Sequence, residues 1–319
     1  MQINMCSSGT TKNSATFSII IPTYNRPQEL TGCLNSLTLL DYEKNGFEVI
    51  VVDDGSRISP EHALKTFGDR ISLRLLKKKH EGPASARNAG AYQARGRFLA
   101  FTDDDCRPAR NWLKELGRHL QKNPVSMVGG CVVNAISKNI YSSASQLILD
   151  IVYAHYNVNG MDPHFFCSNN MAVATDVFLS AGGFDTSYRL AGGEDREFCG
   201  RWRSIGYKMV YEPEAVIWHA HKLNFRTFWK QHKAYGCGAF LFNRSYARRG
   251  AEDSTLSYDF YTSFIRHFGE ATRGLPGSKV SKLVALMCLW QLANTVGFTS
   301  EMIKYLFRGK RVGWNITLM

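Results

Sequence analysis

No C-x-x-C pair occurs in this chain of 319 residues; its eight cysteines (Cys6, Cys33, Cys106, Cys131, Cys167, Cys199, Cys237, Cys288) are scattered singly. That pattern speaks against a zinc module and against a dense disulfide framework, and it suits a reducing compartment such as the cytoplasm. No G-x-G-x-x-G follows an apolar run and no G-x-x-x-x-G-K-[ST] occurs anywhere, so neither a dinucleotide fingerprint nor a P-loop is expected. The first fifteen residues are polar, without the basic-then-apolar layout of a secretory leader. The apolar stretch Leu283 to Thr299 is interrupted by Gln291, Asn294 and Gly297, which reads as too short and too polar for a membrane span of about 20 apolar residues. Acidic residues are sparse toward the C-terminus: from Arg201 onward there are 18 Lys and Arg against 7 Asp and Glu, while residues 1–200 carry 21 against 20. The net charge of +12 is therefore C-terminal. Such an excess suits an anionic ligand, a membrane surface or nucleic acid, or is simply a solvated face.

What is present is a chain with 44% hydrophobic residues, enough for one large domain or a domain with an appendage. Phe17 to Ile21 is a β-branched run closed by Pro22, and Leu30, Leu34 and Leu37 follow at helical spacing after Pro27. The same unit recurs. Glu48 to Val52 reads as a buried strand, Ser59-Pro60 as a helix start with proline first, Ser72 to Leu76 as a strand, Ala84 to Ala94 as a helix and Arg97 to Phe101 as a strand. Trp112, Leu113, Leu116 and Leu120 then share one helical face. Alternating strands and helices predict an α/β fold with a doubly wound, mostly parallel sheet, whose ligands lie at the carboxyl ends of the strands. Beyond residue 125 the alternation loosens. Ser126 to Val133 reads as a strand, Ile140 to Tyr156 as a helix or an ordered loop, and Val210-Tyr211 and Ala215 to Trp218 as two short strands leading to His219 and His221.

Three strand ends carry polar clusters: Thr23-Tyr24-Asn25, Asp53-Asp54 and Asp103-Asp104-Asp105. Consecutive carboxylates raise one another's pKa unless a cation sits among them, so a divalent metal is one account of the third cluster and a solvated acidic turn the other. Glu194 and Asp195 precede Phe198, Trp202 and Ile205 at helical spacing, where carboxylates complement a helix dipole whether or not they do chemistry. Arg26 reads as a charge at a helix start. His219 and His221, at i and i+2 on an extended segment, point to one side and can share a metal or a phosphate, or simply pack.

Taken together, the motifs resemble family-2 glycosyltransferases, inverting nucleotide-sugar enzymes of the GT-A fold. The resemblance rests on Ser18-Ile19-Ile20-Ile21-Pro22-Thr23-Tyr24-Asn25-Arg26, Val52-Asp53-Asp54-Gly55-Ser56, Gly82-Pro83-Ala84 with Ala86-Arg87-Asn88, the Asp103-Asp104-Asp105 cluster as a D-x-D, and Gly182-Gly183-Phe184-Asp185 followed by Gly193-Glu194-Asp195. It covers roughly residues 15 to 235.

It implies a GT-A domain over residues 15–235, preceded by a loose tail over 1–14 and followed by a basic, mainly helical region over 236–319. Asp195 would be the general base and Glu194 an acceptor-side partner. Pro22, Thr23, Asn25, Asp53, Asp54 and Arg87 would hold the nucleotide half, with Asp103 and Asp104 completing the nucleotide-sugar site. Asp105 would be the principal ligand of Mg²⁺ or Mn²⁺, aided by Asp103 and by His219, whose imidazole tilts the choice toward Mn²⁺. An aspartate accepts from a uracil N3–H, so a UDP-sugar is the first expectation. The acceptor would be a glycan, a lipid-linked molecule or a protein, and no nucleic acid is expected. A domain that binds nucleotide-sugar without turnover, and a metal-dependent phosphoryl enzyme, are the competing readings.

In the last third, Phe228, Trp229, Tyr235, Phe240 and Phe242 mix with Lys230, Lys233, Arg244, Arg248 and Arg249, as an acceptor floor or a lipid-facing surface would. Phe298, Met302 and Leu306 recur at four-residue spacing with Ile303 beside them, before Arg308-Gly309-Lys310-Arg311. Such an amphipathic segment with a basic end either attaches the protein peripherally to the cytoplasmic face of a membrane or packs as a helical subdomain on the core.

Overall fold

Seven successive residues of β2 (Phe47–Asp53) are buried, as are six of the seven in β1 (Phe17–Thr23). Strands apolar on both faces need cover on both sides, and the helices between them supply it. In this computed structural model, residues 16–157, 162–248 and 258–312 are described. The tail expected over 1–14 and Arg249 lie outside them, as do the side chains of the basic end at 308–311. In chain order the elements are β1, α1 (Pro27–Leu37), β2, α2 (Glu61–Lys65), β3 (Leu73–Lys77), α3 (Pro83–Tyr92), β4 (Phe98–Phe101), β5 (Cys106–Pro108), α4 (Trp112–Lys122), β6 (Met127–Asn134), α5 (Ile140–Tyr156), β7 (Met171–Ala174), α6 (Thr175–Ser180), α7 (Glu194–Ser204), β8 (Met209–His219), α8 (Phe225–Arg248), α9 (Tyr258–Thr272) and α10 (Gly277–Val312).

The eight strands form one sheet in the order β3-β2-β1-β4-β7-β6-β8-β5. Its first four strands are parallel, as expected. The second half is mixed: β7 runs antiparallel to both β4 and β6, β8 is parallel to β6, and β5 is antiparallel to β8. Register builds the site. Thr23 pairs with Asp53 and Asp53 with Lys77, so the polar ends of β1 and β2 are level. Cys106 pairs with His219, which delivers the end of β8 to the residue after the acidic cluster.

Local details depart from the sequence pattern. Ile140 to Tyr156 is a helix, capped by Asn139, whose side chain accepts from the backbone N–H of Tyr141 and Ser142. The two short strands expected around residues 210–218 are one strand, which carries Pro213, Glu214 and Ala215 as a bulge between its pairings Glu212 with Gly130 and Val216 with Cys131 of β6. Pro60 precedes the first helical residue of α2 instead of being it. The helix α10 is unbroken through Gln291, Asn294 and Gly297, because the last two face α8. A Cβ on Gly297 would stand 2.0 Å from the Lys233 carbonyl oxygen, and one on Gly236 would stand 2.0 Å from that of Asn294. Small residues here let two helix backbones touch. The boundary expected between residues 235 and 236 falls inside α8.

Candidate active site

The Asp103-Asp104-Asp105 cluster lies just past β4, where burial and mutual repulsion have to be offset by cations. Asp104 and Asp105 are almost fully buried. The Arg26 guanidinium spans them, with Nη1 2.9 Å from Asp104 Oδ1 and Nη2 bonded to Asp105 Oδ2. Thr23 Oγ1 donates to Asp104 Oδ2 at 2.8 Å. Burial nevertheless pushes the Asp104 carboxyl up to about 7, against the pull of Arg26. Asp105 is buried too, yet His219 and Arg26 overcome that penalty and hold its carboxyl well below the usual range.

His219 Nε2 lies 3.2 Å from Asp105 Oδ1. Burial disfavours its charged form, but the neighbouring Asp105 outweighs it and raises the imidazole pKa. His221 stacks on His219 with ring centroids 4.9 Å apart, so the two do point to one side. Burial and the charge of His219 lower His221 to about 4. Ligand atoms of Asp105, Cys106 and His219 fall within 4.8 Å of one another. Burial and Asp105 make the Cys106 thiol hold its proton, which leaves a carboxylate and an imidazole as the natural donors. That pair fits a borderline-hard divalent ion such as Mn²⁺.

Arg87 joins this cluster to the Glu194-Asp195 pair. It rises from α3, which begins at Pro83 after Gly82, and Gly82 has φ +98°. Its Nη2 meets Asp103 Oδ1 at 2.6 Å and its Nη1 meets Glu194 Oε1 at 3.0 Å. Glu194 Oε2 accepts from the Gly192 N–H at 2.8 Å. Asp195, in the first turn of α7, is half-buried. Burial and the adjoining Glu194 carboxylate push its carboxyl up to about 7, although Arg87 pulls the other way. The Gly183-Phe184 turn is pinned to α3 by Asn88, which donates to the Phe184 carbonyl and accepts from its N–H.

At the other strand ends the side chains are differently engaged. Asp53 Oδ1 accepts from the Ser56 N–H at 2.9 Å. Both Asp54 oxygens are occupied within the protein, by the N–H groups of Glu81 and Gly82, by Lys78 and by His80. Asp54 thus orders the loop that leads into α3 and Arg87. Asn25, at φ +57°, receives the Arg57 N–H on its side chain and gives its own N–H to Ser56. Pro22 lies within β1, in register with Val52.

Sequence reasoning missed two features. Arg26 is indeed the residue that precedes α1, but its side chain turns back onto Asp104 and Asp105. Tyr24 stacks on His80 with centroids 4.1 Å apart, forming a solvent-exposed ring pair beside Asn25. Position at the end of β1 was a signal for Arg26; nothing in the local sequence marks His80.

Residues 18–179 match the profile of the family described as Glycosyl transferase family 2. The chain is 29% identical over 210 residues to glycosyltransferase AglE of Haloferax volcanii, an alignment that covers 63% of this chain and 66% of that protein. It is 28% identical over 227 residues to a pre-mycofactocin glycosyltransferase of Mycobacterium tuberculosis, covering 70% and 46%. The matched part therefore spans about half to two thirds of these relatives. Among solved structures it is similar to the mannosyltransferase PcManGT of Pyrobaculum calidifontis in complex with GDP-Man and Mn²⁺. The TM-score is 0.63 at 18% identity, over 92% of this chain and 88% of that one. That likeness is one of fold.

Proposed function

The chain belongs to glycosyl transferase family 2, and from that premise we propose that it transfers a sugar from a nucleoside-diphosphate donor to a hydroxyl group by direct displacement with inversion. The observation that carries this reading is the Arg87 bridge, since one guanidinium holds both Asp103 of the acidic cluster and Glu194 of the acceptor-side pair. A donor handled at the first and an acceptor at the second are thereby kept in a fixed relation, as a displacement at one carbon requires.

In the proposed step the Asp195 carboxylate takes the proton of the acceptor hydroxyl. The acceptor oxygen bonds to the anomeric carbon, and the bond from that carbon to the diphosphate oxygen breaks, its electron pair leaving with the diphosphate. A carboxyl poised near 7 suits a base working at neutral pH. Asp105 and His219 would hold Mn²⁺ or Mg²⁺, with Asp103 and Asp104 close by, and the bound cation would neutralise the leaving diphosphate. Thr23, Asn25 and Asp53 border the nucleotide half, with the Tyr24-His80 ring pair beside them as a stacking surface. Asp53 favours a uracil base and hence a UDP-sugar.

Residues 15–235 would form the catalytic domain, with a helical C-terminal region. The acceptor would be a glycan, a lipid-linked molecule or a protein, at the cytoplasmic face of a membrane. Support for the last point comes from α10. Its residues Gly277–Phe307 are long and apolar enough to cross a membrane by length and composition. One side is committed to α8, while Val284, Leu292, Ile303 and Leu306 are exposed. We therefore favour α10 lying on the surface through that outer side.

The decisive experiment measures nucleoside diphosphate released from a panel of UDP-, GDP- and dTDP-sugars with Mg²⁺ and with Mn²⁺. Asp195→Asn should abolish transfer while donor binding persists. Undiminished turnover in that variant removes Asp195 from the mechanism, and no release from any donor sinks the proposal.

A further inference from the structure

The two donors suited to the divalent ion are already committed to other groups. Asp105 offers Oδ2 to Arg26 and Oδ1 to His219, and His219 Nε2 faces Asp105. An ion that takes an Asp105 oxygen would stand beside a guanidinium on the same carboxylate. Two cations on one buried carboxylate repel strongly where solvent screening is poor. One of them has to yield.

Arg26 is the one able to. Its side chain is 39% exposed, against 4% for Arg87, which is locked between two carboxylates. The backbone around Arg26 is tied down by Asn25 through Ser56 and Arg57, so a swing of the side chain is enough and the β1–α1 loop can stay in place. Asp104 keeps the Thr23 hydroxyl when the guanidinium leaves. A diphosphate arriving with the ion reverses the electrostatics, because it offers paired, negatively charged oxygen acceptors that match the planar fork of a guanidinium.

We infer that Arg26 is a built-in competitor for the divalent ion: guanidinium and ion exclude one another at Asp105, and the displaced guanidinium pairs with the diphosphate of the donor. The inference rests on reading Asp105 and His219 as metal ligands. It adds an ordering role, in which the acidic cluster accepts its ion most readily together with a nucleotide that gives Arg26 somewhere to go.

The test uses the full chain and no sugar donor, so it is separate from whether the protein turns over. Mn²⁺ binding is measured by titration calorimetry and by the electron paramagnetic resonance signal of free Mn²⁺, first alone and then with UDP or GDP. Arg26→Ala should bind Mn²⁺ alone about tenfold more tightly, and should bind the better of the two nucleotides at saturating Mn²⁺ about tenfold more weakly, as expected when one charge-assisted contact is gained or lost. Changes of opposite sign are not what a structural role produces. Mn²⁺ affinity that is unchanged or weaker in Arg26→Ala overturns the competition, and unchanged nucleotide affinity overturns the handover. Should Arg26→Ala fail to melt cooperatively, Arg26→Lys takes its place. Its point charge lacks the fork, so it should move both affinities in the same directions by less, and a lysine variant equal to wild type in both overturns the inference. Mn²⁺ binding that survives Asp105→Asn overturns the premise and the inference together.

Discussion

Gly238 in α8 rests against Gly192 with no space for a side chain between them: a Cβ on Gly238 would stand 2.0 Å from the Gly192 carbonyl oxygen. On the same loop, a Cβ on Gly192 would meet the Tyr235 ring at 2.3 Å. The loop continues through Gly193, at φ +94°, into Glu194 and Asp195 at the start of α7. The C-terminal helices therefore back the segment that presents the proposed base. Gly238→Ala should push that segment outward and lower kcat about 10²-fold, since displacements of the order of an ångström cost that much. The donor KM should hardly change, because the proposed donor side lies at the ends of β1 to β4. Gly269→Ala on α9, where nothing lies within 4 Å, is the control and should leave both constants alone. Steady-state kinetics at saturating acceptor read the difference.

Removal of Arg87 should destabilise the fold as well as impair turnover. Its guanidinium is the shared counter-charge of Asp103 and Glu194, and Glu194 is almost fully buried. Arg87→Met fills the volume but strands a buried carboxylate, a change that costs roughly 3–5 kcal/mol when the pair is fully buried. Asp103 is partly exposed, so solvent screens its share and the loss should fall near the lower end. Urea titration measures it. A lysine in place of Arg87 keeps the charge yet cannot reach both carboxylates, and should recover part of the stability with little of the activity.

The parallel half of the sheet was legible because β1, β2 and β4 are apolar runs, interrupted by Ser18 in β1 and Glu48 in β2, that end in polar clusters, and a strand end is visible locally. His219 beside Asp105 is a different kind of fact. It depends on Cys106 pairing with a residue more than a hundred positions away, which no local pattern encodes, and only the resemblance pointed to it. Arg26 was misread because a helix-start arginine looks the same in sequence whether it faces solvent or turns back onto a carboxylate. The continuity of α10 was hidden for the converse reason. Asn294 and Gly297 look like interruptions until α8 is seen pressed against them. Asp54 was legible as important, though what it holds is the Lys78–Gly82 loop.

Asn170 ties the irregular half of the sheet together, so its loss should be costly although it touches no proposed reactant. Its Nδ2 donates to the carbonyls of Cys131 and Ala215, each at 2.8 Å, and its Oδ1 accepts from the Trp112 indole N–H at 2.8 Å. The residue is fully buried. Asn170→Ala leaves these groups unpaired at the point where β8 bulges against β6, at roughly 1–3 kcal/mol for each group left unsatisfied. Thermal unfolding should show a fall in Tm of several degrees. Because β8 is held to β6 beside this point and ends at His219, Mn²⁺ affinity should weaken with it.

The dependence of turnover on pH tests the proposed base directly. Burial and the Glu194 carboxylate hold the Asp195 carboxyl at about 7, and only the ionised form can take a proton from an acceptor hydroxyl. Turnover should therefore be flat above about pH 7 and fall roughly tenfold per unit below it. Glu194→Gln removes the neighbouring negative charge while leaving the half-buried setting of Asp195 in place, so the Asp195 pKa should drop and the acid limb of kcat/KM should move to lower pH. Loss of Arg87 works in the opposite sense: with a positive neighbour gone, the limb of whatever turnover remains should move up. Both shifts are read from kcat/KM for the acceptor, where the limb reports the enzyme before the acceptor binds. An acid limb that stays in place in Glu194→Gln, or moves upward, would mean that the ionisation controlling turnover is not that of Asp195.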